Sequence, residues 1–285
     1  MTILVTAANG RTGRAVVEAL AGTDETVRVF DINPQVRDLV NRGATEALVG
    51  DLLEPIDVSQ AVDDVRVVIH IGPPMHPREA EMGHGLVTAA RRSGVQHFVQ
   101  FSVTHPQLEP LLNHQAKLAV ERLVLLSRIP FTILQPMHYM QNTDIAEVVS
   151  TGHYRQPYSL ETPLAHVDLR DVAEVAALVV GDIDRHAFAT YELCGADYLN
   201  GHQLAQVIAE VSGRSIKAEV VARVLGVREG GRSSDVDDYR HDAMTRLFEH
   251  YGRYGITGNP NVLTWLLGRP PATFSDYVRR NLPTS

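Results

Sequence analysis

Residues 3–13 read Ile-Leu-Val-Thr-Ala-Ala-Asn-Gly-Arg-Thr-Gly, and an amphipathic stretch follows to Leu20. A short apolar run, a tight turn and a helix in that order open a βαβ unit. In such a turn Gly10 lets the backbone approach a pyrophosphate and Gly13 lets the helix pack close to the sheet. The first-turn N–H groups and the helix dipole then attract the anion. Ala7 occupies the first glycine slot, which is tolerable if its φ stays negative. Ala7, Asn9, Gly10, Arg11, Thr12 and Gly13 are thus candidate cofactor-binding residues, with the last four on the diphosphate. The competing reading is a tight turn that binds nothing.

Outward from this turn, five more apolar runs end in turn residues: 27–30 at Asp31, 47–49 at Gly50-Asp51, 67–71 at Gly72-Pro73-Pro74, 97–101 at Ser102, and 131–134 at Gln135-Pro136. Helical patterns at 78–93 and 111–127 separate the last three. Right-handed crossovers and strands buried on both faces predict an α/β fold with a doubly wound, mostly parallel Rossmann-type sheet, its ligands at the strand C-termini. A dinucleotide-binding domain is expected over 1–150 and a smaller α+β substrate-binding portion over 151–285, interleaved with the first by a returning strand near 190–194. Helices are expected at 168–180, 202–211, 242–251 and 260–267, with a loop over 229–238.

Asp31 ends the second strand about 20 residues beyond the glycines, where a carboxylate accepts hydrogen bonds from an adenosine ribose and repels a 2′-phosphate. This favours NAD over NADP, although Arg11, Arg28 and Arg37 are near enough in sequence to reverse the preference. Asp51 ends the third strand and is either an adenine contact or a turn residue. Gly72 and Pro73 fit a stiff backbone edge beside the cofactor.

The chain has 285 residues, 44% hydrophobic and 21% charged, with a formal charge of -8. That composition supports a large core without disulfides, and the one cysteine, Cys194, gives no sign of an oxidising compartment. No apolar run reaches the roughly 18 residues needed to span a bilayer, and no secretory leader pattern opens the chain. A cytoplasmic protein is expected, with no membrane or nucleic-acid partner and self-association left open. His76, His84 and His105 form no metal-ligand spacing, so no metal is expected.

Several segments in order resemble the NmrA-like family of atypical short-chain dehydrogenases/reductases. They are ILVTAANGRTG, GVQHFVQFS, KLAVERLVLLSRIPFTILQPMHYMQN, HVDLRDVAEVAA, YELCGADYLNGHQLAQVI and WLLGRPPATFSDYV, which together run over nearly the whole chain. The resemblance implies a nicotinamide cofactor on a Rossmann domain with a smaller C-terminal portion, but no single activity. Short-chain reductases of the usual type carry a Tyr four residues before a Lys on the helix after the fifth strand. Here that spacing gives Asn113 and Lys117. Lys117 is expected to hold the nicotinamide ribose, whereas an Asn amide is no general acid at neutral pH.

Hydride transfer still needs a proton donor. His138 and Tyr139, just after the sixth strand, are candidates for substrate binding or proton transfer, with His114 a weaker one. Ser102 either polarises a carbonyl or caps its turn. Asp168 and Asp171 are expected to start a helix and pair with Arg170. Phe248, Tyr251, Tyr254 and Leu266 line a pocket or fill a core, and Trp265 is expected in the core. The function expected is NAD(P)-dependent hydride transfer to or from a small or medium carbonyl, quinone or enone. The alternatives are a non-catalytic NAD(P) sensor and a redox-neutral isomerase or epimerase on retained cofactor.

Overall fold

The computed structural model describes residues 1–221 and 234–283. Its first elements alternate strand and helix: β1 (Thr2–Thr6), α1 (Arg11–Leu20), β2 (Thr26–Asp31), a 3-10 segment (Pro34–Arg42), β3 (Glu46–Val49), α2 (Pro55–Ala61), β4 (Val67–Ile71), α3 (Glu79–Arg92), β5 (His97–Phe101), α4 (Leu112–Leu126) and β6 (Phe131–Pro136). Then come β7 (His138–Tyr139), α5 (Ile145–Thr151), β8 (His153–Gln156), β9 (Leu164–Val167), α6 (Leu169–Gly181), β10 (Ala189–Leu193), β11 (Tyr198–Leu199), α7 (Gly201–Ser212), β12 (Lys217–Val220), α8 (Asp235–Tyr254), α9 (Asn261–Leu267) and α10 (Phe274–Asn281).

The main sheet runs β10-β6-β5-β4-β1-β2-β3. The pairings from β6 through β3 are all parallel, so the order reverses beside β1, as in a Rossmann sheet. β4, β5 and β6 are buried along their whole length, which explains why they read as continuous apolar runs rather than alternating ones. Val68, Phe98 and Ile133 from the sheet pack against Leu86 of α3 and Val120 and Val124 of α4 in one core.

Two compact units divide the chain. The first is Met1–Gln135 with Val172–Tyr191, and the second is Pro136–Asp171 with Glu192–Ser285. The expected division at 150 therefore differs from the observed one: the second unit begins at the end of β6, and α6 returns to the first. In the second unit a three-stranded β11-β9-β7 sheet and a parallel β12-β8 pair accompany a core of Met140, Leu204, Ile208, Phe274 and Val278.

Helix ends follow the capping chemistry of the sequence. Asn200 and Gln203 make a reciprocal capping box for α7, and Gly213 closes it in the left-handed region. The loop expected over 229–238 is corrected in part, since 229–233 lie outside the described residues and Asp235–Asp238 are helical. Ser234 caps α8 by accepting from Asp237 N, and three acidic residues in the first turn complement its dipole. Among the described residues no helix is long and apolar enough to cross a membrane.

Candidate functional site

In the first unit, Gly10 stands at the N-cap of α1, and no side chain caps the first turn. Gly10 N donates to Ala7 O at 3.1 Å, and Arg14 N to Gly10 O at 2.9 Å. A Cβ at Gly13 would lie 2.5 Å from Ala8 Cα, so backbone, not a flexible side chain, excludes any larger residue there. Ala7 corrects one expectation: its φ is +46°, in the region where L-residues carry strain. The turn keeps the shape of a glycine turn at the cost of that strain.

Asp31 ties the turn to β2. Its Oδ2 accepts from Asn9 N at 2.9 Å and its Oδ1 from Asn33 N at 2.8 Å. Each carboxylate oxygen has a second lone pair for a further donor. Arg14, which sequence reasoning missed, holds the other side of Asn9: its Nε donates to Asn9 O at 2.8 Å and its guanidinium also bonds Asn9 Oδ1. The available signal was a cation in the first turn of the helix that follows the glycines. Arg28 is excluded as a 2′-phosphate ligand, because it donates to Glu46 Oε1 at 2.8 Å and to the carbonyls of Ala61 and Asp63. Arg11 and Arg37 are exposed. Asp51 accepts from Leu53 N at 2.9 Å, a turn-forming bond to a backbone N–H two residues on.

Farther along the same strand ends lies a layer of polar groups that sequence reasoning also missed. Thr6, His70 and Gln100 sit one per strand on β1, β4 and β5, each no more than 1% exposed. His70 pairs in register with Gln100, and its Nδ1 is 2.9 Å from Thr6 Oγ1. Burial, then the positive charge of Lys117, pushes the His70 imidazole down to about 3, so it is neutral near pH 7. The signal was a lone polar residue near the end of each apolar run.

Lys117 stands over this layer. Helices α3 and α4 approach closely at Gly83, where a Cβ would lie 2.5 Å from Val120 Cγ2. One turn toward the start of α3, the same ridge brings Glu79 to Lys117, with Nζ and Oε1 2.7 Å apart. A Cβ at Gly72, just beyond β4, would be 2.8 Å from Glu79 Oε1 and 3.2 Å from Lys117 Nζ. Gly72 thus makes room for the ion pair, and Pro73 beside it is half-buried. Ser102 continues the sheet by donating its N–H to Leu134 O at 2.8 Å. Ser102 Oγ and Asn113 Oδ1 are both buried without a hydrogen-bond partner, and such groups in native structures call for an explanation. His114 faces away, buried with its Nδ1 2.9 Å from His105 O.

The second unit holds the remaining candidates. His138 and His166 pair on β7 and β9 with their rings 5.5 Å apart, and the Tyr251 ring is 5.5 Å from His138 on another side. Asn142 Nδ2 lies 3.2 Å from His138 Nε2. Burial, then His166, pushes the His138 imidazole down to about 3, and burial brings His166 to about 4. A neutral His138 offers a hydrogen bond near pH 7 but no imidazolium proton. Tyr139 is half-buried.

Asp168 and Asp171 are corrected. Asp168 does accept from Arg170 N at 3.0 Å, but its cation is Arg280, and Gln141 Nε2 also donates to it at 2.7 Å. Asp171 binds Arg269 at 2.9 Å and Ala272 N at 2.7 Å. Both carboxylates anchor the C-terminal segment. Trp265, expected in the core, is 74% exposed, because α9 is short and turns its other face inward on Leu263. Phe248 lines a cleft of about 290 Å³ with Tyr158, Thr245 and Glu249, while Tyr254 is exposed. No group of three or more potential metal ligands gathers among the described residues.

The model of the NmrA-like family matches residues 1–266. The chain belongs to that family. It is 25% identical to the NAD(P)H azoreductase of Xenophilus azovorans, over 97% of this chain and 96% of that protein. It is 22% identical to quinone oxidoreductase 2 of Escherichia coli, over 97% of each, and the NADPH complex of that enzyme superposes with a TM-score of 0.76. The NmrA negative transcriptional regulator in complex with NAD, 17% identical, covers 98% of this chain and 94% of its own, also with a TM-score of 0.76.

Proposed function

We propose that this NmrA-like protein binds a nicotinamide dinucleotide along the C-terminal strand edge of its first unit and uses it to reduce a conjugated organic acceptor such as a quinone, enone or azo compound. The observation that carries the reading is the uncapped start of α1 at Gly10, held in shape by Asp31 and Arg14 on the edge that also bears Lys117. The site fits such a cofactor on this chain's own features: main-chain donors for the diphosphate, a carboxylate at the end of β2 for a ribose, and buried oxygens of Ser102 and Asn113 in need of donors.

When bound, the dinucleotide supplies the hydride. The chain's part is to hold and orient. Gly10, Arg11, Thr12 and Gly13 would bind the diphosphate, Asp31 the adenosine ribose and Lys117 the nicotinamide ribose, with Asp51, Gly72 and Pro73 lining the edge. The Asp31 carboxylate favours NAD over NADP by charge. Lys117 also supplies positive potential where an acceptor gains negative charge, and Ser102 Oγ is placed to hydrogen-bond a polar group at the end of β5.

Calorimetric titration with NADH and NADPH tests the reading, followed by loss of reduced-nicotinamide absorbance with quinone and azo acceptors. Binding of either nucleotide is expected, with NADH tighter, and Asp31→Ala should narrow the difference. No affinity for either would end the proposal. A second reading, a cofactor sensor without turnover, is motivated by Asn113 standing where the usual tyrosine would be. Stoichiometric binding with no acceptor reduced would favour it.

A further inference from the structure

The chain contains only two lysines, Lys117 and Lys217, among 26 Lys and Arg side chains. Lys217 is 74% exposed in a surface cluster with Glu219. Lys117 is 13% exposed, and its partner Glu79 is 1% exposed. A guanidinium is no equivalent of this ammonium, since it is a broad planar fork where lysine presents a compact point charge. Glu79 is the first residue of α3, and both its carboxylate oxygens are buried with no hydrogen-bond partner, the ion contact of Oε1 with Lys117 apart. Among the described residues Lys117 is the cation that compensates this carboxylate.

A buried ion pair is a poor source of stability, since its desolvation offsets much of the attraction and an apolar pair of similar volume often does as well. Its geometry has the marks of placement instead. The Gly83–Val120 contact fixes the helices, the carboxylate sits at a helix start, and the bare Cα of Gly72 leaves the ammonium its space.

We propose that Glu79 is the positioning residue for Lys117, holding its ammonium as a fixed cation over the end of β4. The proposal rests on the nicotinamide-site reading above, to which it adds the residue that aims the lysine. A lysine in that place without Glu79 would sample many rotamers, and each binding event would then have to order it.

Carbon-13 labelling at lysine Cε gives two side-chain signals, with Lys217 as the internal control. In the unliganded protein the Lys117 signal is expected to be displaced and rigid. In Glu79→Gln it should move toward the mobile Lys217 position while Lys217 stays in place. NADH affinity should fall about 10-fold in Glu79→Gln and in Lys117→Met, with little further loss in the double variant.

If Glu79→Gln does not fold, Gly72→Ala keeps both charges and crowds them with its Cβ, and should displace the Lys117 signal in the same way. An unmoved Lys117 signal in a folded variant, or additive losses in the double variant, would overturn the positioning role even if the wild type binds NADH. A wild type that binds neither nucleotide would instead overturn the cofactor reading, and the lysine spectra would still report whether Glu79 holds Lys117.

Discussion

Both units bury charge, and they do so for different ends. The first places Lys117 and Glu79, which lie 38 positions apart on neighbouring helices, over a polar layer in which Thr6, His70 and Gln100 come from successive sheet neighbours. The second closes Asp168 onto Arg280 and Asp171 onto Arg269, partners separated by about a hundred residues. In the first unit the ion pair joins two neighbouring helices of the βαβ series at the C-terminal edge of the sheet. In the second the ion pairs are the clasp that fastens the chain end.

The sharpest way to break this contrast is to remove a clasp. Asp168→Ala would leave Arg280 and Gln141 without their acceptor beside a fully buried position. A loss of about 3–5 kcal/mol is expected, read by hydrogen exchange as early opening of α10 with the main sheet still protected. Equal loss of protection in both units would show that the second does not rely on its own clasp.

Acid gives, for each imidazole, a smaller effect, and it tests both units together. His70 and His138 are lowered from 6.5 to about 3, and His166 to about 4. The unfolded chain therefore takes up protons first as pH falls below about 6.5, so stability is full above that value and is lost progressively toward pH 4. Each such imidazole accounts for about 2 kcal/mol between pH 7 and pH 5. Thermal melts should show the decline, and His166→Phe should remove one imidazole's share of it, from the second unit alone.

Smallest is the turn before α1. Ala7→Gly removes the strain of a positive φ and loses some chain stiffness, for a net gain of up to about 1 kcal/mol in chemical denaturation. A loss would mean that Ala7 is not held in the left-handed region.

The same contrast explains what was legible in the sequence. The strands of the first unit announced themselves because β4, β5 and β6 are buried along their whole length and most strands are punctuated by glycine, proline or aspartate where they leave the sheet. The glycine turn and Asp31 were singled out by spacing along a single βαβ series, and Lys117 by the resemblance to short-chain reductases. Glu79 and His70 escaped because helix-to-helix approach depends on Gly83 receiving Val120, a matter of packing that no local period encodes. In the second unit the helices were readable from their caps, while the partners of Asp168 and Asp171 were misassigned to the nearby Arg170. Trp265 was misplaced for a related reason: bulk alone does not say which way a seven-residue helix turns.

The chain passes between its units at Gln135, Asp171 and Tyr191, and that path bears on how the protein is made. A ribosome that has delivered the six-stranded part of the sheet has not yet produced α6 or β10, and the edge of β6 stays open to solvent until they emerge. Until α6 and β10 have been synthesised, β6 is an unpaired strand edge of the kind that makes a partly folded chain prone to associate.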